Sequence, residues 1–130
     1  MLSYSNFGSS YTTSPSTVAR ATALIKEMAP DLEVEWEIKA NIAFNTELRD
    51  EIFPFSALKG EPNILIFPDL NAANIEYKLF MRLGELDDIG PILVGMDKSA
   101  NILERGSKAD NIFNLTTLSA LKARQNVSAK

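Results

Sequence analysis

Neither cysteine nor histidine occurs among the 130 residues. The first absence excludes a disulfide, a thiolate nucleophile and a zinc–thiolate centre. The second removes the commonest general base near neutral pH and the commonest metal ligand. Chemistry in this chain therefore falls to carboxylates, hydroxyls, lysine and arginine. No apolar run approaches the roughly 20 residues of a membrane span, and no signal peptide is expected. Positive charge is also in short supply: 13 Lys and Arg against 17 Asp and Glu leave a net charge of −4. Nucleic acid asks for the opposite balance, so it is not an expected partner, and neither is a membrane. The Walker pattern and Gly-x-Gly-x-x-Gly are both missing, which leaves no nucleotide fingerprint. A cytoplasmic location is expected.

What is present can fold. Hydrophobic residues make up 45% and charged residues 23%, the balance of a globule with a real core. Leu2 to Ser5 reads as a strand running into a hydroxyl-rich loop. Ser14-Pro15 is a helix start, with a hydroxyl cap and proline at the first helical position. Val18, Ala21, Ile25 and Met28 follow at helical spacing until Pro30. From Glu33 to Lys39 the pattern alternates, with Val34, Trp36 and Ile38 on one face and glutamates on the other. That predicts a half-buried strand whose carboxylates face solvent.

Asn45 or Thr46 is placed to cap a short helix carrying Leu48, Ile52 and Phe53 and ended by Pro54. The unbroken apolar run from Asn63 to Phe67 predicts a central strand buried on both faces. Pro68-Asp69-Leu70-Asn71 turns into a helix with Ile75, Leu79 and Leu83 on one stripe and Gly84 at its end. Pro91 to Val94 predicts another buried strand, and Asn101 to Glu104 a short one. Ser107 and Asp110 have capping-box spacing before a last helix carrying Ile112, Leu115, Leu118 and Leu121. Strands alternating with helices imply an α/β fold of three layers, with a mainly parallel sheet of about five strands. Because the chain opens inside what reads as a strand, a piece of a longer protein is expected.

Four stretches bear on chemistry, each with a plain alternative. Asp69 and Asn71 lie between a buried strand and a helix start, where open α/β sheets hold ligands; equally, either residue simply caps the helix. Gly8-Ser9-Ser10 offers backbone N–H groups and hydroxyls for a phosphate, or is only a connection. Glu104-Arg105-Gly106-Ser107 puts an arginine before a helix N-terminus, a good anion holder or a solvated surface arginine. Glu33, Glu35 and Glu37 look like the carboxylates of an acid–base site, but their alternation favours a solvated strand face.

Ile64-Leu-Ile-Phe-Pro-Asp-Leu-Asn-Ala-Ala-Asn74, followed by Tyr77-Lys78 and Arg82-Leu83, resembles the signature stretch of phosphotransacetylases. Ile89-Gly-Pro-Ile-Leu93, Arg105-Gly106 and Asn114-Leu115 continue the resemblance, and Leu2-Ser-Tyr-Ser5 opens it. Ser5-Asn-Phe-Gly-Ser9, Phe53-Pro-Phe-Ser56 with Leu58-Lys-Gly60, and Asn71-Ala-Ala-Asn74 are similar to the version of this domain fused behind the catalytic half of long bacterial NADP-dependent malic enzymes. The resemblance implies a fold of isocitrate/isopropylmalate dehydrogenase-like type. Residues 1–130 would form its second subdomain and closing helix.

It also implies a site. Active phosphotransacetylases carry serine immediately before the arginine matching Arg105, and at the position of Asn111 an aspartate that takes the thiol proton of coenzyme A. Here those two positions are Glu104 and Asn111. A carboxamide has no basic lone pair near neutral pH, so Asn111 is no base. What is implied instead is an acyl-CoA or phosphate site of Arg105, Asp69, Asn71, Ser9, Ser10 and Asn111, with no catalytic residue. Acetyl-CoA is the implied effector, and the malic-enzyme catalytic half and a second copy of the chain are the implied partners. No cofactor is implied in this chain; NADP and a divalent metal, Mg or Mn, belong to the parent's catalytic half.

Overall fold

The computed structural model describes residues 1–84 and 88–128, with side chains through Gln125. The chain divides into two compact units, Met1–Lys78 and Leu79–Lys130. Five helices are seen among the described residues: α1 (Thr13–Met28), α2 (Ala40–Ala43), α3 (Thr46–Ile52), α4 (Leu70–Leu83) and α5 (Ala109–Ser128).

In the first unit the opening segment lies between two others. Leu2 N donates to the Ile66 carbonyl (2.7 Å), Ser3 N to that of Ile38 (3.0 Å), and Leu2 and Ile38 form a parallel bridge. Helix α1 begins one residue ahead of the expected Ser14 cap, after Thr12, and buries Pro15, Val18 and Thr22. Helix α3 starts as expected, with Asn45 Oδ1 accepting from Leu48 N (3.0 Å). Leu2, Ile38, Ile42 and Ala43 form the core, and Phe7, Leu48, Phe53, Leu65 and Phe67 pack against it. Burying a side chain such as Ile38 contributes about 1.5–3 kcal/mol.

The expected strands do not extend into ladders among the described residues; two isolated bridges are present, Leu2 with Ile38 and Ile92 with Asn101. Phe7 and Glu37 stand at positive φ (45° and 40°), which ends the pairing of the first two segments after one bridge. The run 63–67 is not buried on both faces. Leu65 and Phe67 meet the core, whereas Ile64 and Ile66 are exposed, because this unit covers one side of the run only. Ile92 and Val94 of the second expected buried strand are likewise exposed.

Arg49 of α3 is sealed from solvent and cross-links this unit: its Nη1 donates to the carbonyls of Ala43 (3.1 Å) and Gly60 (3.0 Å). In the second unit, Asn101 ties the 92–93 segment to α5. Its Oδ1 accepts from Leu93 N (3.3 Å) and its Nδ2 donates to Ser119 Oγ (2.6 Å). Leu115 of that helix is buried. The expected capping box is not formed: Ser107 Oγ turns back to donate to the Glu104 carbonyl (2.8 Å), and α5 opens at Ala109.

Candidate functional site

The serine loop comes first. Successive residues Phe7 and Gly8 adopt left-handed conformations (φ 45° and 82°), easy for glycine and costly for phenylalanine. Phe7 N donates to the Glu37 carbonyl (2.9 Å), Gly8 N to Glu37 Oε2 (2.9 Å) and Ser9 N to the Asn6 carbonyl (3.0 Å). Ser5 N and Asn6 N are taken by the hydroxyls of Ser3 (3.2 Å) and Ser9 (3.0 Å). The N–H groups of residues 5–9 are thus all spent inside the protein, and they do not cradle a phosphate. What the loop presents outward is hydroxyls: Ser9 is exposed and Ser10 half-buried. The Ser10 hydroxyl lies 3.1 Å from the Tyr4 hydroxyl, which also bonds that of Thr12. Those bonds, Ser10 first, hold the exposed Tyr4 phenol below the ordinary tyrosine value.

The glutamates correct the sequence reading. Glu35 and Glu37 are 4% and 1% exposed, so neither faces solvent. Each of the three accepts a backbone N–H from a distant loop: Glu33 from Lys59 (2.6 Å), Glu35 from Ala57 (2.6 Å) and Glu37 from Gly8 (2.9 Å). Ser56 Oγ adds a second bond to Glu35 (2.9 Å). Buried carboxylates survive only with such donors. Glu33 is exposed as expected, but Glu35 and Glu37 form no solvated face; the three make a strip on which two loops dock. Alternation missed this because it carries no information on a positive φ or on partners tens of residues away.

Asp69 also takes its plainer role. Its Oδ1 accepts from Ala72 N (2.9 Å) and its carbonyl from Ala73 N (3.1 Å), so it caps α4. An anionic ligand at that helix start meets the Asp69 charge, which already answers the helix dipole. Asn71 is exposed in the first turn of α4.

Arg105 stands at the corner of a tight turn in the second unit. Ser107 N donates to the Glu104 carbonyl (3.2 Å), and Gly106 supplies the positive φ (83°) that this turn needs. The guanidinium is exposed four residues before α5 begins, a position suited to an oxyanion. Asn111, in the first turn of α5, donates its Nδ2 to Asp88 Oδ1 (3.2 Å). Ser9, Ser10, Asp69 and Asn71 therefore belong to the first unit, and Arg105 and Asn111 to the second. Among the described residues no group of three His, Cys, Asp or Glu side chains is placed to hold a metal ion.

Residues 1–120 match the family described as phosphate acetyl/butaryl transferase, and the chain belongs to that family. Two kinds of relative are found. The NADP-dependent malic enzyme of Haemophilus influenzae is 40% identical over 125 residues, which are 96% of this chain and 16% of that protein. The phosphate acetyltransferase of Bacillus subtilis is 38% identical over 123 residues, 95% of this chain and 38% of that protein. Among solved structures, the EutD phosphotransacetylase from Staphylococcus aureus superposes with a TM-score of 0.80 at 30% identity, covering 94% of this chain and 38% of its own. The chain thus spans well under half the length of each of these relatives. Among the described residues, no helix is long and apolar enough to cross a membrane.

Proposed function

We propose that this chain is the second part of a phosphotransacetylase-like domain of a malic enzyme, and that it senses acetyl-CoA and helps the enzyme assemble rather than transferring acetyl groups. The observation that carries this reading is Asn111. Its amide works as a hydrogen-bond donor to Asp88, and an amide engaged that way takes no proton from a thiol. Glu104, beside Arg105, adds a negative charge where an incoming phosphate would sit. Similarity to a malic enzyme across 96% of the chain supports the parentage.

On this reading Arg105 holds a phosphate or carbonyl oxygen of the effector, and in the first unit Ser9, Ser10 and Asn71, beside the Asp69 cap, are the further candidates for contact with an acyl-CoA or phosphate group. The effector acts by favouring an assembly in which the distant catalytic half, with its NADP and divalent metal, works poorly. The parent converts malate to pyruvate and CO₂ in the cytoplasm, the chain self-associates, and its sheet belongs to a three-layer α/β/α arrangement.

Calorimetric titration of acetyl-CoA into the full chain tests the reading, with Arg105→Ala as control. Saturable binding that weakens about tenfold or more in the variant is expected, the loss of one charge-assisted contact. Equal binding by both proteins overturns the role of Arg105. A second reading, an active phosphate acetyltransferase, is favoured by the Bacillus subtilis relative. Acetyl phosphate formed from acetyl-CoA and phosphate would establish it in place of the first.

A further inference from the structure

Among the described residues Glu37 is the carboxylate that reaches the serine loop, and it does so from inside the protein. Its side chain is 1% exposed, its carbonyl accepts from Phe7 N and its Oε2 from Gly8 N, both at 2.9 Å. Glu37 itself, Phe7 and Gly8 all hold positive φ, so three strained or permissive residues meet at one point. A left-handed phenylalanine is held only if its surroundings over-determine it, and the two bonds to Glu37 do that. A third tether lies one step away, where Lys39 N donates to Asn6 Oδ1 (2.8 Å). The same segment carries Trp36, whose ring meets Phe7 edge-on at 6.2 Å between centroids.

We infer that Glu37 is a positioning residue: by fixing Phe7 and Gly8 it sets where the hydroxyls of Ser9 and Ser10 stand toward a ligand oxygen. This rests on the reading that these two serines contact the effector. The charge of Glu37 is secondary to its acceptor. Its other oxygen, Oε1, is buried without a hydrogen-bond partner among the described residues, so an amide nitrogen placed there forfeits no contact. Glu37→Gln should therefore keep the clamp and Glu37→Ala should release it.

Two readouts on the full chain test this. The first is acetyl-CoA affinity followed by the fluorescence of Trp36, the single tryptophan. Glu37→Ala is expected to weaken binding about tenfold, the loss of a hydrogen bond to a charged acceptor, and Glu37→Gln to restore it to within about threefold. The second is hydrogen exchange at the Phe7 and Gly8 amides, which needs no ligand. Exchange there is expected to accelerate in Glu37→Ala and return to wild-type rates in Glu37→Gln, while Ala57, docked on Glu35, keeps its protection. Unchanged Gly8 exchange in Glu37→Ala overturns the proposal, as does equal loosening of Gly8 and Ala57, which would mean general loss of packing. If the parent chain itself binds no acetyl-CoA, the effector reading fails, and the exchange comparison alone decides for or against the clamp. Where Glu37→Ala does not fold, Glu37→Met fills the space without an acceptor and gives the same contrasts.

Discussion

Tyr4 shows how much of this surface is organised around hydroxyls. Its phenol is exposed, yet the Ser10 and Thr12 hydroxyls stabilise the phenolate and lower its pKa from 10.0. A group whose folded pKa is depressed adds stability above its unfolded pKa, and that gain disappears as pH falls through the folded value. The effect therefore belongs to the alkaline range and is nil at neutral pH. Tyr4→Phe is expected to delete phenolate absorbance that develops below pH 10.0. An ultraviolet titration curve unchanged in that region contradicts the assignment. Arg49 makes the contrasting point. Its charge is sealed inside, with two carbonyls on Nη1 and Asp50 Oδ1 3.4 Å from Nε, so its work is cross-linking α3 to the chain around Gly60.

At the scale of elements, α3 is held by its cap and by what it packs on. Asn45→Ala should cost about 0.5–2 kcal/mol by freeing Leu48 N. A denaturant midpoint equal to wild type would remove the cap from the account. This helix was legible because its signals are local: a capping asparagine, apolar spacing and Pro54. Helices α1 and α4 were legible for the same reason, as was the end of α4 at Gly84. The segment from Glu33 to Lys39 was legible only as extended and half-apolar. Glu35 and Glu37 turned inward because Ala57 and Gly8 offered N–H groups, while Glu33 stays exposed and takes that of Lys59; no spacing within seven residues encodes donors 26, 22 and 29 positions away. The run 63–67 misled in another way. Its composition suits burial on both faces, but the residues of the first unit that pack on it do so through Leu65 and Phe67 alone.

For the whole molecule, the relevant fact is how much apolar surface is left uncovered. Helix α4 has no buried residue, and Leu70, Ile75, Leu79 and Leu83 are all exposed. Exposed apolar side chains on one helix are what the proposed self-association would cover. In solution the chain is expected to exceed the mass of one copy, 14.3 kDa, with acetyl-CoA shifting the distribution. Light scattering that returns a monomer with and without acetyl-CoA removes the assembly role. The candidate ligand residues were only partly legible at this scale. Arg105 stands before the last helix, where the sequence placed it, on a turn seen only in the structure, and Asp69 caps α4. The serine loop offers hydroxyls, because Glu37 takes the N–H groups of Phe7 and Gly8 and the loop's own Ser3, Asn6 and Ser9 take those of Ser5, Ser9 and Asn6.

That loop has one more property. From Met1 to Ala19 the chain carries no charged side chain, and the carboxylate nearest the loop is buried against Gly8. Whatever Ser9 and Ser10 contribute to binding is dipolar, and added salt leaves it untouched. The exposed Arg105 is the opposite case, since the screening length falls from about 8 Å at 0.15 M to about 3 Å at 1 M. Ionic strength thus separates the two kinds of candidate group without a mutation: a contribution from the serines is expected to survive concentrated salt, and one from Arg105 to fade.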